Sequence, residues 1–162
     1  MGVSGCGKTT VGRALAERMR CAFHDADDFH PPANVAKMRA GIPLTDADRD
    51  PWLDRVAADM TVIGGRGEHA VLACSALKQA YRDRLARAGD VRFVYLRGDQ
   101  ATIAPRLAAR AGHYMPASLL ASQLATLEEP AHAIVVDIRS TVDEQVAAIV
   151  RELNQEANER TR

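Results

Sequence analysis

Gly2-Val3-Ser4-Gly5-Cys6-Gly7-Lys8-Thr9 fits the spacing G-x-x-x-x-G-K-[ST] without a mismatch. Glycines at these places let the backbone curl so that successive N–H groups face inward around an anion. Lys8 adds a point charge for β- and γ-phosphates, and Thr9 adds a hydroxyl for Mg²⁺. Gly2, Ser4, Gly5, Cys6, Gly7, Lys8, Thr9 and Thr10 are therefore read as the nucleotide-binding set. A helix expected from Thr10 onward, with Val11, Ala14, Leu15 and Met19 on one stripe, aims its N-terminus at the phosphates. Cys6 lies within the same nest at a helix start, which favours a reactive thiolate. The chemistry indicated is binding of a nucleoside triphosphate.

Three further groups have the residue types for phosphoryl transfer. Asp25 and Asp27 alternate just after an expected strand, Cys21 to His24. They are expected to point in different directions, so that one faces a metal and the other a substrate hydroxyl. Lys78 and Arg82 share one face of a helix after the next strand, and with Arg49 they make a cradle for a small anion. Arg106 and Arg110 also share a helical face, just before Gly112-His113-Tyr114. Two arginines beside a glycine hinge suit a lid that clamps phosphates, because each fork bonds two oxygens.

The elements that must position these groups follow from the hydrophobic pattern. A helix is expected from Pro31-Pro32 to Gly41, carrying Val35 and Met38 inward, and then a charged turn from Asp46 to Asp50. A longer helix, with Asp50 as its cap and Pro51 first, buries Trp52, Val56, Met60 and Ile63 and ends in a loop at 64–67. Ala70 to Cys74 is a continuous apolar run, the mark of a strand covered on both faces. Helices at 81–88 and 99–111, strands at 91–96 and 134–136, and a final helix capped by Thr141 with Glu144 complete the chain. Pro105 should kink or delay its helix, and the polar tail from Asn154 should fray. Strands alternating with helices predict an α/β fold with a mainly parallel sheet, whose ligands bind beyond the carboxyl ends of the strands.

Composition narrows the function further. The 162 residues are read as one domain, with 47% apolar and 26% charged residues, ordinary for a soluble protein. Twenty-one basic residues balance 21 acidic ones, which provides no global field for nucleic acid or an anionic membrane. No apolar run reaches membrane-spanning length. The three cysteines form neither a metal spacing nor an even disulfide set, and so point to the cytoplasm.

These segments together resemble the thermoresistant gluconokinase family of P-loop kinases. The matching stretches begin with residues 2–9 and Asp25-Ala26-Asp27-Asp28-Phe29-His30-Pro31. They continue through Lys37-Met38, Gly41 to Asp46, Asp48-Arg49, Pro51-Trp52-Leu53, Ala73-Cys74-Ser75-Ala76-Leu77-Lys78 and Tyr81-Arg82-Asp83. Arg106-Leu107, Arg110, Gly112 to Pro116, Ser122-Gln123 and Thr126 to Pro130 follow in family order. The resemblance implies a P-loop NTPase fold of the nucleoside-monophosphate-kinase type, with a parallel sheet flanked by helices and a lid at about 106–130. It also implies ATP with Mg²⁺, gluconate phosphorylated on its 6-hydroxyl, and often a homodimer.

By that resemblance Thr9 and Asp25 serve the metal, while Asp27 orients or deprotonates the attacking hydroxyl; this division also follows the similar Asp-x-Asp of shikimate kinases. Asp27, His30, Arg49, Lys78, Arg82 and His113 hold the substrate, and Lys8, Arg106 and Arg110 join Asp27 in catalysis. Cys6 stands where the family usually has serine. The family also has an apolar strand before the P-loop, between the strands that end here at Cys74 and Leu96. Its absence here leads to the expectation that Met1 is an internal methionine at the end of that strand. The alternatives are another small-molecule kinase of the shikimate kinase type, or a nucleotide-binding protein without turnover. Against the first, Ser75-Ala76-Leu77 stands where shikimate kinases carry a glycine run.

Overall fold

Gly7 sets the start of the first helix, because it takes a left-handed conformation (φ 101°) that only glycine adopts cheaply. Helix α1 therefore runs Lys8–Met19, starting two residues before Thr10, and buries Val11, Gly12, Leu15 and Ala16. Met19 is exposed, not part of the buried stripe. The computed structural model describes residues 1–109 and 119–160. After α1 come β1 (Ala22–Asp25), a 3₁₀ turn (Ala26–Phe29), α2 (Pro32–Arg39), α3 (Asp46–Gly65), β2 (Ala70–Ala73) and α4 (Gln79–Ala86). Then follow β3 (Val94–Arg97), α5 (Gln100–Ala108), α6 (Leu119–Thr126), β4 (Ile134–Asp137) and α7 (Val142–Arg160).

Two helices differ from expectation for identifiable reasons. Asp46 to Asp50 is not a turn: it is the start of α3, because Thr45 and Asp48 form a reciprocal capping box ahead of Pro51. Pro51 is accommodated inside the helix. Helix α7 does not fray at Asn154 but runs to Arg160, where Glu156 pairs with Arg92 (2.8 Å) and Arg160 with Asp90 (3.2 Å). Its Thr141–Glu144 capping box forms as expected. Asp99 caps α5, which contains Pro105. Helix α6 has no counterpart in the sequence-based reading.

The strands form two parallel pairs and not one continuous sheet. β1 pairs with β2 in the register Ala22↔Ala70 to Asp25↔Ala73, and β3 pairs with β4 from Val94↔Ile134 to Arg97↔Asp137. Between β2 and β3 lies an apolar slot of about 570 Å³, lined by residues of both strands and by Met1, Val11 and Leu15. Among the described residues no strand fills it. Met1 stitches its upper end: its amine donates to the Val94 carbonyl, its carbonyl accepts from Leu96 N (3.0 Å), and Gly2 N donates to Ser75 O (3.1 Å).

The buried residues among those described form two clusters. Val3, Cys6, Val11, Leu15, Leu96, Ile103, Val136 and Ile149 pack around α1, α5 and α7. Trp52, Leu53, Val56, Cys74, Tyr81 and Leu85 pack where α3 and α4 cover β2, and Trp52 Nε1 donates to Ala26 O (2.7 Å). Among the described residues no helix is long and apolar enough to cross a membrane.

Candidate active site

The phosphate-binding loop sits at the seam between the two strand pairs. Gly5 (φ 82°) lies so close to α5 that a Cβ there would stand 2.6 Å from Leu107 Cγ, so both conformation and space require glycine. Lys8 Nζ donates to the carbonyl of Val3 (3.0 Å), which keeps the side chain folded over the loop. Ser4 N donates to Gln123 Oε1 (2.6 Å), tying the loop to α6. Thr10 is exposed on the first turn of α1. Cys6 contributes differently from its expected reactive role. Its side chain is 1% exposed and packs in the core, so the thiol is shielded from solvent.

Beyond the loop, β1 delivers two carboxylates to different places. Asp25 Oδ2 accepts from the Thr9 hydroxyl (3.0 Å), while Oδ1 accepts from Asp27 N (3.1 Å) and starts the 3₁₀ turn. That turn carries Asp27 away from Thr9 into a cavity also lined by Ser4, Lys8, His30, Arg49 and Ser75. A hydroxyl and a carboxylate, both hard oxygen donors, fit Mg²⁺, which is bound by one or two carboxylates plus substrate phosphates. Among the described residues no three His, Cys, Asp or Glu side chains form a cage of their own.

His30 stacks on Trp52 with ring centroids 4.4 Å apart, and burial lowers its pKa, against the opposing pull of Asp27. Its Nδ1 lies 3.4 Å from Asn34 Nδ2, whose amide also donates to Asp48 O (2.7 Å). Asn34 is itself buried, one helical turn after His30.

The basic residues divide. Arg49 lines the cavity, with its Nη1 3.4 Å from the Tyr81 hydroxyl. Lys78 is outside the cavity lining, and its ammonium donates to both oxygens of Asp46 (2.8 and 2.7 Å). That pairing holds the Asp46 carboxyl below its ordinary range, helped by the Tyr81 hydroxyl, and raises Lys78. Arg82 departs furthest from the anion cradle expected of it. Its guanidinium is buried and donates to Ala76 O (2.9 Å), Leu77 O (3.1 Å) and Gln79 Oε1, so it clasps the loop after β2. Arg106 is exposed, and Nη2 donates to Ile138 O (2.9 Å) at the end of β4. Arg110 and His113 lie outside the described residues.

Several participants had no role assigned from sequence. Tyr81, Asp46 and Gln123 fall within the family-like segments, but nothing in their spacing shows that they meet Arg49 or Ser4. Asn34 could have been suspected as a polar residue four positions after His30 on an otherwise plain helix.

The chain matches the shikimate kinase family over residues 4–158. It is 53% identical over 132 residues to a gluconokinase of Gluconobacter oxydans, covering 80% of this chain and 74% of that protein. A probable gluconokinase of Xenopus tropicalis is 42% identical, over 98% of this chain and 91% of its own. The crystal structure of a gluconokinase from Sinorhizobium meliloti superposes with a TM-score of 0.88 at 41% identity, covering 98% of this chain and 91% of that one. The chain belongs to the gluconokinase family, within the wider shikimate kinase family of P-loop kinases.

Proposed function

We propose that the protein transfers the γ-phosphoryl group of ATP to the 6-hydroxyl of D-gluconate, yielding 6-phospho-D-gluconate and ADP. The observation that carries this reading is the single cavity shared by Lys8 of the phosphate loop, Asp27, His30 and Arg49. It joins a nucleotide site to a carboxylate base and to a cation suited to a sugar acid. The relatives named as gluconokinases supply the identity of that acid.

The residues divide the reaction as follows. Backbone N–H groups from Gly5 to Thr10 receive the phosphates at the N-terminus of α1. Lys8 exchanges the Val3 carbonyl for phosphate oxygens as nucleotide enters. Arg49 holds the gluconate carboxylate, and His30, neutral because it is buried, borders the hydroxyls. Asp27 orients the 6-hydroxyl and takes its proton as the new O–P bond forms and the bond to the ADP oxygen breaks. Thr9 and Asp25 would hold Mg²⁺, which neutralises charge on the β- and γ-phosphates. Arg106, released from Ile138, and Arg110 stabilise the transferring group from the lid side. The protein's contribution is positioning and charge, not covalent catalysis.

An ADP-release assay across gluconate, other aldonates, shikimate and nucleoside monophosphates tests this reading. Gluconate should have the largest kcat/KM. A larger value for shikimate or a nucleoside monophosphate overturns the substrate assignment, and no turnover with any acceptor overturns the kinase reading.

A further inference from the structure

Four polar side chains from two helix starts meet beside the acceptor cavity. Asp46 and Arg49 come from the first turn of α3, and Lys78 and Tyr81 from the start of α4. Lys78 Nζ donates to both Asp46 oxygens, the Tyr81 hydroxyl donates to Asp46 Oδ1, and Arg49 Nη1 donates to the Tyr81 hydroxyl (3.4 Å). The guanidinium carbon of Arg49 also lies 5.8 Å from the centroid of the Tyr81 ring, within cation–π range. Of the four, only Arg49 lines the cavity.

From this juxtaposition we infer that Tyr81 is a positioning residue that aims Arg49 at the acceptor's carboxylate, with Asp46 and Lys78 fixing the phenol. The inference rests on the proposed gluconokinase reading, in which Arg49 receives that carboxylate. An arginine fork bonds a carboxylate well only when its plane is set in advance, since two parallel N–H···O bonds must form together. Several features set it here. The Arg49 side chain is only 15% exposed, its Nη1 reaches the Tyr81 oxygen, and Asp46 lies 3.8 Å away on the same helix. Tyr81 is itself held, because its ring is buried among Trp52, Val56 and Leu85 and its hydroxyl is anchored on Asp46. Lys78 neutralises the Asp46 carboxylate, which would otherwise draw Arg49 back toward its own helix. The sequence-based role of Lys78 as a direct substrate ligand is thereby recast. It acts on the acceptor through Asp46, Tyr81 and Arg49, and the four together select for a sugar acid over its uncharged analogue.

The test compares D-gluconate with D-gluconamide, which keeps every hydroxyl and lacks the negative charge. Trp52, the chain's single tryptophan, lines the acceptor cavity, so its fluorescence reports binding of either compound without turnover. Tyr81→Phe should raise the gluconate Kd and KM about tenfold, as for loss of a hydrogen bond to a charged group. The gluconamide Kd and the KM for ATP should stay within about twofold of wild type. Asp46→Asn, which keeps shape and removes the charge, should shift the same selectivity less, and it decides the matter if Tyr81→Phe does not fold. An unchanged gluconate Kd in the variant that folds, or equal weakening of gluconate and gluconamide, overturns the inference. Failure of the wild-type protein to phosphorylate gluconate is a different outcome, and it removes the functional reading itself.

Discussion

Replacing Arg82 by methionine keeps most of the aliphatic stem and removes only the guanidinium, so it asks what that group holds. In the wild type it donates to the carbonyls of Ala76 and Leu77 and twice to Gln79 Oε1. Leu77 O keeps a second donor, Glu128 N (2.9 Å), but among the described residues no other backbone N–H donates to Ala76 O, and Ala76 sits at a positive φ of 43°. Hydrogen bonds to a charged group contribute about 1.5–3 kcal/mol, and an orphaned buried carbonyl costs roughly 1–3 kcal/mol. No longer desolvating a guanidinium returns part of this. The net loss expected is on the order of 2–4 kcal/mol, which lowers Tm by roughly 5–15 °C in a domain of this size. Thermal and urea unfolding measure that loss. Steady-state kinetics should show a reduced kcat, because Ser75 on the same loop borders the cavity. If Tm is unchanged while the gluconate KM rises tenfold or more, Arg82 is a substrate ligand and the clasp reasoning fails.

Asp27→Asn should lower kcat about a hundredfold and leave nucleotide affinity within twofold, as for loss of a positioned base; a near-normal kcat makes Asp27 structural. Thiol-specific alkylation of the folded protein should modify Cys21, the partly exposed cysteine, and leave Cys6 intact by peptide mass mapping. Rapid modification of Cys6 that MgATP slows would instead support a reactive loop thiol. Joining an apolar pentapeptide such as Val-Ile-Val-Ile-Val to Met1 should fill the slot between β2 and β3 and raise Tm, whereas a Ser/Asn peptide of equal length should not. Burial pulls the Met1 amine from 8.0 to about 6, so the unfolded chain binds more protons between these values. Stability should therefore fall by roughly 2–3 kcal/mol from pH 8 to pH 6, and the extended chain, which has no charge at that position, should lose this dependence.

The parts of the fold that could be read in advance are those where a local pattern decides the structure. Gly7 and Lys8 locate the phosphate loop, the Thr141–Glu144 box starts α7, and the apolar run at 70–74 yields β2. Errors arose where two local signals competed. Pro51 reads as a helix start, yet the Thr45–Asp48 box ahead of it prevails. Asn154 looked like the start of a frayed tail, yet ion pairs with residues near 90, distant in sequence, hold α7 together. The candidate site shows the same division. Asp25 and Asp27 are legible as a post-strand acidic pair, but strand alternation would put residues two apart on one face, and it is the 3₁₀ turn at Ala26–Phe29 that separates them. No periodicity says that Arg82 turns into its own loop or that Lys78 meets Asp46. Those outcomes depend on how α3 packs on α4, which is a tertiary fact.

The phosphate loop's place at the seam has a mechanistic consequence. β1 and β2 carry the acceptor side, Asp25, Asp27 and Ser75, while β3 and β4 carry α5, Gly5's close neighbour, and the Arg106 anchor at Ile138. The loop is fixed to the first pair by Gly2 N on Ser75 O and to the second by Met1 on Val94 and Leu96. Transfer requires the γ-phosphorus and the acceptor oxygen to be in line and within about 3–3.5 Å, and a displacement near 1 Å costs about a hundredfold in rate. In the proposed reaction gluconate is held by Asp27, His30 and Arg49 and the nucleotide chiefly by the phosphate loop itself, so each affinity depends on contacts that survive a small relative shift of the two pairs. Perturbations of the seam, including filling the slot, should therefore act on kcat much more than on either KM. That pattern separates them from changes at Arg49 or Tyr81, which should appear in the gluconate KM.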